Sequence, residues 1–288
     1  MENKENNLSE HQQVLYELLK EFDRVCRKYD IKYMLFAGTA LGAVRHKEII
    51  PWDDDLDVVM MRDDYERFLK VAPETVDKEK YFVQAEFSDH WPMFFSKLRK
   101  NNTACLEKTR VKDEKMHQGI YIDIFPCDNL LDSSFMRKVQ FYVSKIVIAK
   151  SLFKRGYLTD SLLKKIVMAV SLLFPSKILA EFVQQKDRKD TEYVHTFFGA
   201  ASKYEKNIYP RKWFTESVEM QFGDGLYPVS KYYDELLTTL YGDYMIPPSD
   251  DVLKIKTHVA LLDVNNSYEI YLEEQKNFKF DTYTRSIR

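Results

Sequence analysis

The chain has 288 residues, 45% of them hydrophobic, enough for one large core or two small ones. A formal charge of −2 gives no electrostatic footprint for nucleic acid, and eight glycines and nine prolines argue against a long disordered linker. Three scattered cysteines (Cys26, Cys105, Cys127) and no Cys-x-x-Cys suggest neither a disulfide framework nor a zinc knuckle, and fit a reduced compartment.

The polar start, MENKENNLSEHQQ, lacks the apolar core of a signal peptide, and no apolar run reaches the ~18–20 residues of a membrane span. A cytoplasmic location is therefore expected. Residues 9 to 29 read as a helix. Ser9 and Gln12 fit a capping box, and Leu15, Leu18, Leu19, Phe22, Val25 and Cys26 recur at helical intervals, which makes Cys26 a core residue. A strand over 32–37 follows. Gly38-Thr39 comes next, ahead of a short helix over 40–45; a glycine at such a turn lets backbone N–H groups approach a phosphate.

Four aspartates then fall within five positions, Asp53, Asp54, Asp55 and Asp57. Like charges ~4 Å apart cost about 1 kcal/mol even in water, so the cluster needs a compensating cation. Alternation through Leu56, Val58 and Met60 predicts a half-buried strand with Asp55 and Asp57 on one face. Carboxylates at i and i+2 can hold Mg²⁺ at metal–oxygen distances of about 2.0–2.1 Å. A calcium loop beginning at Asp53 fails, because Val58 and Asp64 stand where glycine and glutamate are required. A solvated acidic loop is disfavoured by the flanking Ile49, Ile50, Pro51 and Trp52.

These residues carry a resemblance. Gly38-Thr39-x-Leu41-Gly42-Ala43-x-Arg45-His46, followed by Ile50-Pro51-Trp52-Asp53-Asp54-Asp55-x-Asp57, resembles the LicD family of phosphocholine transferases. Fukutin and fukutin-related proteins are distant relatives in the same nucleotidyltransferase-fold superfamily. The resemblance implies an α+β fold: a nucleotidyltransferase-like mixed sheet flanked by helices, with a basic helical insertion. It implies domains at 1–130 (catalytic core), 131–190 (basic helical subdomain) and 191–288 (completing the cleft).

Further along, a helix over 63–71 is expected to end before Pro73, with strands over 81–87, 94–100 and 103–107. Lys97 and Arg99 share a face of the second of these, either as charge partners of a phosphate site or as guards of a solvated edge strand. In MHQGIYIDIFPCD (116–128), Asp123 is a carboxylate among alternating isoleucines, a costly place for an unpaired charge. It also matches the superfamily's third carboxylate. His117 precedes it, as a substrate contact or an ordinary structural histidine.

Residues 133 to 180 hold nine Lys or Arg and one acid, with apolar residues at helical spacing. Such helices can lie on anionic lipid, giving peripheral contact with the inner face of a membrane; the alternative is a solvated basic face. A helix over 182–188, a mixed stretch over 211–222 and a helix over 231–240 follow. Tyr241-Gly242-Asp243-Tyr244-Met245 ahead of Pro247-Pro248 extends the resemblance to about residue 260.

The resemblance supplies a reaction: CDP-choline donates phosphocholine to a hydroxyl of a cell-surface glycan or its lipid-linked precursor, releasing CMP. Asp55, Asp57 and Asp123 become the catalytic and metal-binding set, with two Mg²⁺ or Mn²⁺ ions stabilising an in-line displacement. Asp53 or Asp54 would assist, and Asp123 would accept the acceptor's proton. Gly38 and Thr39 would hold the donor diphosphate, with Arg45, His46, Lys97, Arg99 and His117 as further substrate-binding candidates. Another CDP-alcohol (ribitol, glycerol, ethanolamine) would use the same aspartates, and a catalytically silent nucleotide- or glycan-binding homologue is the other reading.

Overall fold

A computed structural model describes residues 9–107, 113–157, 159, 161–188, 191–198, 203–247 and 259–276. The chain opens with α1 (Glu10–Lys28), whose Ser9 and Gln12 form the expected capping box. Then come β1 (Met34–Leu35), α2 (Ala37–Arg45), β2 (Asp57–Met61), α3 (Arg62–Thr75), β3 (Tyr81–Gln84), β4 (Ser96–Lys100), β5 (Ala104–Glu107) and β6 (Tyr121–Asn129). Three helices follow, α4 (Ser134–Arg155), α5 (Leu162–Ser171) and α6 (Ser176–Gln184). The remainder is β7 (Tyr193–His195), β8 (Ile208–Pro210), α7 (Lys212–Thr215), β9 (Ser217–Phe222), β10 (Gly225–Ser230), α8 (Tyr233–Tyr241), β11 (Val259–Asp263) and α9 (Leu272–Gln275).

The main sheet runs β1-β2-β6-β4-β3, and β7 pairs with both β6 and β8. Only β2 and β6 are parallel; the other pairs are antiparallel, so the sheet is mixed, as expected. Both faces are covered, because alternate residues feed two different cores. Leu35, Val58, Met60, Leu98, Ile122 and Ile124 join α1 and α3 in one cluster. Met34, Val59, Phe125 and Cys127 point the other way, into a cluster that includes Val147 of α4, Val183 of α6 and Leu236 of α8. The expected half-buried β2 is therefore buried on both sides. Cys26 is fully buried, as its place on the α1 stripe required.

Several boundaries differ from the sequence reading. The α2 helix begins at Ala37, so Gly38 and Thr39 lie inside its first turn instead of before it. The turn is made by Ala37 at φ +48°, a left-handed conformation that costs a non-glycine residue about 1 kcal/mol or more. The β2 strand begins at Asp57, leaving Asp55 in the irregular segment before it. Pro73 does not end α3: it sits in the last turn, where it costs the helix one N–H bond, and Val76 N still donates to Ala72 O at 3.0 Å. The helix expected over 182–188 stops at Gln184, because Gln185 turns into the left-handed region at φ +47°. The stretch over 211–222 resolves into α7 and β9, and β9 pairs with β10 as a hairpin.

Candidate active site

The aspartate loop is pinned from both sides. Asp57 N donates to Thr39 Oγ1 at 2.8 Å, and Phe36 N donates to Asp57 O at 3.0 Å, fastening β2 to the entrance of α2. Asp123 N donates to Leu56 O at 2.8 Å, fastening it to β6. Gly38 has a steric reason to be glycine: a Cβ there would lie 2.8 Å from Asp53 Oδ2. The first turn of α2 has no side-chain cap at Phe36. Its N–H groups and dipole therefore meet the aspartate loop directly, an arrangement that favours negative charge.

Register places three charged residues in a row across the sheet. Asp57 is the partner of Asp123 in β2–β6, and Asp123 is the partner of Lys97 in β4–β6. All three are on the face opposite Val58, Ile122 and Leu98. Lys97, 1% exposed, sets its ammonium 2.9 Å from Asp123 Oδ1, an ion pair without the alignment of a hydrogen bond. Its Nζ also lies 3.9 Å from Glu107 and 3.0 Å above the Tyr121 ring. Glu107 is bound by Arg155 at 2.6 Å. Lys97 therefore guards no solvated edge, since β4 is interior, between β3 and β6.

The charges are unbalanced toward acid. Burial pushes the Asp57 carboxyl well above its usual range; Asp55, Asp123 and Asp53 push the same way, and Lys97 only partly opposes them. Burial also raises Asp123, with Lys97 pulling down and Asp55 pushing up. Glu107 behaves differently. Burial would raise it, but Arg155 and Lys97 hold it at about 2, so it is a firm anion.

Among the described residues, the tightest group of possible metal ligands is Asp53, Asp54 and Asp55, whose offered oxygens lie within 4.8 Å of one another. The expected trio of Asp55, Asp57 and Asp123 is neighbouring through register and field but forms no group that tight. The reason is the later start of β2, which leaves Asp55 in the irregular loop with Asp53 and Asp54. Asp54 Oδ2 is buried and accepts no hydrogen bond, and Asp123 Oδ1 is buried with only the Lys97 ammonium against it. Carboxylate oxygens short of donors, in a pocket of excess negative charge, fit a hard divalent cation.

The other candidates divide. Arg99 is buried and committed: Nε donates to Gln84 Oε1 at 2.6 Å and Nη1 to Gly119 O at 2.7 Å. Arg45 reaches the Tyr244 carbonyl, and His46 packs edge-on against Trp52, centroids 5.8 Å apart. His117 has both ring nitrogens engaged: Nδ1 accepts from Gly119 N at 3.1 Å and Nε2 is 3.0 Å from Asn101 Oδ1. It stacks on Phe82, and burial lowers it to about 3, so it stays neutral.

Three participants escaped the sequence reading in their roles. Glu107 and Arg155 are 48 residues apart, and no local pattern couples them. Tyr241, at the end of α8, presents a half-exposed ring, yet its hydroxyl is held above the ordinary phenol range by burial and by Asp57, Asp53 and Asp55. Its motif was visible, but its place beside the aspartates was not.

A family model described as LicD/FKTN/FKRP, nucleotidyltransferase domain, matches residues 30–159. The lipopolysaccharide cholinephosphotransferase LicD of Haemophilus influenzae is 30% identical, with 86% of this chain and 95% of that protein aligned. The chain belongs to the LicD family. An uncharacterised protein of Rickettsia prowazekii is 33% identical over 42% of this chain and 41% of its own length. One of Rickettsia typhi is 47% identical over 21% and 19%. The matched LicD domain holds Gly38, the aspartate loop, Lys97, Glu107, Asp123 and Arg155. Tyr241 lies beyond it.

Proposed function

We propose that the protein is a metal-dependent phosphocholine transferase that moves phosphocholine from CDP-choline to a hydroxyl of a cell-surface glycan or its lipid-linked precursor, releasing CMP. The observation that carries this reading is the surplus of buried carboxylate around Asp57 and Asp123, beside Asp54 Oδ2, which is buried and accepts no hydrogen bond. The Haemophilus relative, a lipopolysaccharide cholinephosphotransferase, supports phosphocholine as the transferred group and a lipopolysaccharide as a model for the acceptor.

Asp53, Asp54 and Asp55, with Asp57 and Asp123, would hold one or two Mg²⁺ or Mn²⁺ ions. Bound there, the metal supplies charge neutralisation of the donor diphosphate. The chain's own residues do the rest. The first-turn N–H groups of α2, around Gly38 and Thr39, bind the diphosphate oxygens. Thr39 fixes Asp57 through its hydroxyl. Asp123 takes the proton of the acceptor hydroxyl as that oxygen attacks the phosphocholine phosphorus, the bond to the CMP oxygen breaks, and CMP leaves. Lys97 orients Asp123, and Glu107 with Arg155 holds Lys97 from behind. The segment from residue 191 would complete the cleft, with Tyr241 within the electrostatic reach of Asp57, Asp53 and Asp55.

The test is a panel of CDP-choline, CDP-ethanolamine, CDP-ribitol and CDP-glycerol incubated with the protein and Mg²⁺ or Mn²⁺, with the products identified. CMP and phosphocholine, released faster from CDP-choline than from the others, is the expected outcome. Preference for another CDP-alcohol changes the donor. Pyrophosphate would indicate nucleotidyl transfer, and no turnover of any donor would leave a silent binding homologue.

A further inference from the structure

The helical pair α5–α6 has the wrong surface for water. The α5 sequence, LLKKIVMAVS, carries a broad apolar face with Lys164, Lys165 and Ser171 opposite, yet only Met168 and Ser171 are buried. The apolar face of a helix belongs against a protein core or in lipid. Here the large side chains point outward: Leu162 and Leu163 are each 71% exposed, Ile166 50%, Ile178 63%, and Leu173, at the bend between the helices, 82%. Together these neighbouring side chains make the kind of contiguous apolar patch that marks an interaction surface.

Three further features say what covers it. First, the charge is mainly of one sign: Lys164, Lys165 and Lys177 are exposed on the pair, against one exposed acid, Glu181, in the second half of α6. Second, the shape is a wedge. The helices meet at 99° across Leu172–Pro175; among the described residues no single helix is long and apolar enough to span a membrane, and although the two together have the length and composition of a broken span, the sharp bend and the exposed lysines suit the pair to entering one leaflet. Third, the tip is prepared for a dry environment. Lys150 Nζ donates to the carbonyls of Leu172 and Phe174, occupying acceptors at the end of α5 that lipid could not satisfy.

We propose that α5–α6 docks the protein on an anionic phospholipid surface, with Leu173 and Leu163 entering the acyl region and the lysines at the level of the phosphates. The lysines would gain from the negative surface potential, and the apolar tip from leaving water. The pair is joined to the centre by α4, whose last residue, Arg155, holds Glu107. Docking would thus keep the site close to a lipid-linked substrate. The inference itself rests on the surface of α5–α6 and is independent of the transferase reading.

Vesicle flotation of the full chain tests it. Binding is expected to phosphatidylcholine vesicles containing phosphatidylglycerol, weak binding to phosphatidylcholine alone, and release as salt is raised. L173E, at a position exposed enough to leave the core untouched, and K164E/K165E, which keeps the apolar face, should each lower binding about tenfold or more. A Leu173→Trp probe should shift its emission to the blue on the anionic vesicles. Absence of wild-type flotation, or equal flotation of both variants, overturns the proposal. So does a wild-type dimer that L173E dissociates while vesicle binding stays nil, since the face would then belong to a second copy of this chain.

Discussion

Asp123 and Asp128 lie on the same strand, β6, and both are buried, 9% and 1% exposed. Their surroundings are opposite in kind. Asp128 receives a two-pronged guanidinium, Arg62 Nε to Oδ1 at 2.6 Å and Nη2 to Oδ2 at 3.0 Å, and Arg62 also binds Glu86 at 2.7 Å while lying over the Tyr65 ring. Both Asp128 oxygens are satisfied. Asp123 has one lysine on one side and another carboxylate, Asp57, on the other, and its Oδ1 has no aligned donor. A buried acid is therefore no mark of chemistry by itself. The mark is an acid whose neighbours leave it short of positive charge, which the folded chain tolerates only if something else supplies that charge.

That contrast can be broken by mutation. Asp123→Asn should lower CMP release from the preferred donor by about a thousandfold or more, while the melting temperature holds or rises because repulsion with Asp57 is relieved. A large drop in melting temperature, with activity falling only in proportion, would make Asp123 a structural acid like Asp128. Arg62→Met should do the reverse. It strands Asp128 and Glu86 and should cost about 3 kcal/mol or more in urea unfolding, with no specific catalytic defect in whatever remains folded.

Acid should attack the Asp128 side as well. His195 stands opposite Asp128 in register, with Nδ1 accepting from Phe197 N at 3.2 Å and Nε2 set 3.0 Å from Val183 O. Burial lowers it to about 4 from its ordinary 6.5. The unfolded chain therefore binds the proton first, and stability falls as pH drops below about 6.5, until the loss is complete below about 4. On the order of 2 kcal/mol should be lost between pH 7 and pH 5, read from denaturant midpoints, and His195→Gln should flatten the slope. The smallest effect sharpens the other side. Thr39→Val removes the acceptor of Asp57 N and should cost about 1 kcal/mol, with a larger proportional loss of turnover; Thr39→Ser should restore both.

Local chemistry was enough for much of this. The capping box of α1, the core role of Cys26, the alternation of β6 and the stranded charge of Asp123 are all written in spacing, because helix and strand periodicities are properties of the backbone alone. The LicD likeness of 38–57 was legible for the same reason, being contiguous. The faults were boundaries set by contacts between elements: the late start of β2, decided by pairing with β1 and β6, and the passage of α3 through Pro73, decided by Tyr65, Phe68 and Ala72 packing on the sheet.

What the sequence by itself determined is the inventory: which residues are acidic, which stripes are apolar, and which short elements they form. Only the tertiary structure decided who meets whom. The row of Asp57, Asp123 and Lys97 exists because three strands distant in sequence share one register. Glu107 and Arg155, and Tyr241 with the aspartates that act on its hydroxyl, are likewise brought together from segments far apart in the chain. Such contacts form because burying the two faces of a mixed sheet is worth more than the chain entropy it costs, and no residue's local preference encodes that balance.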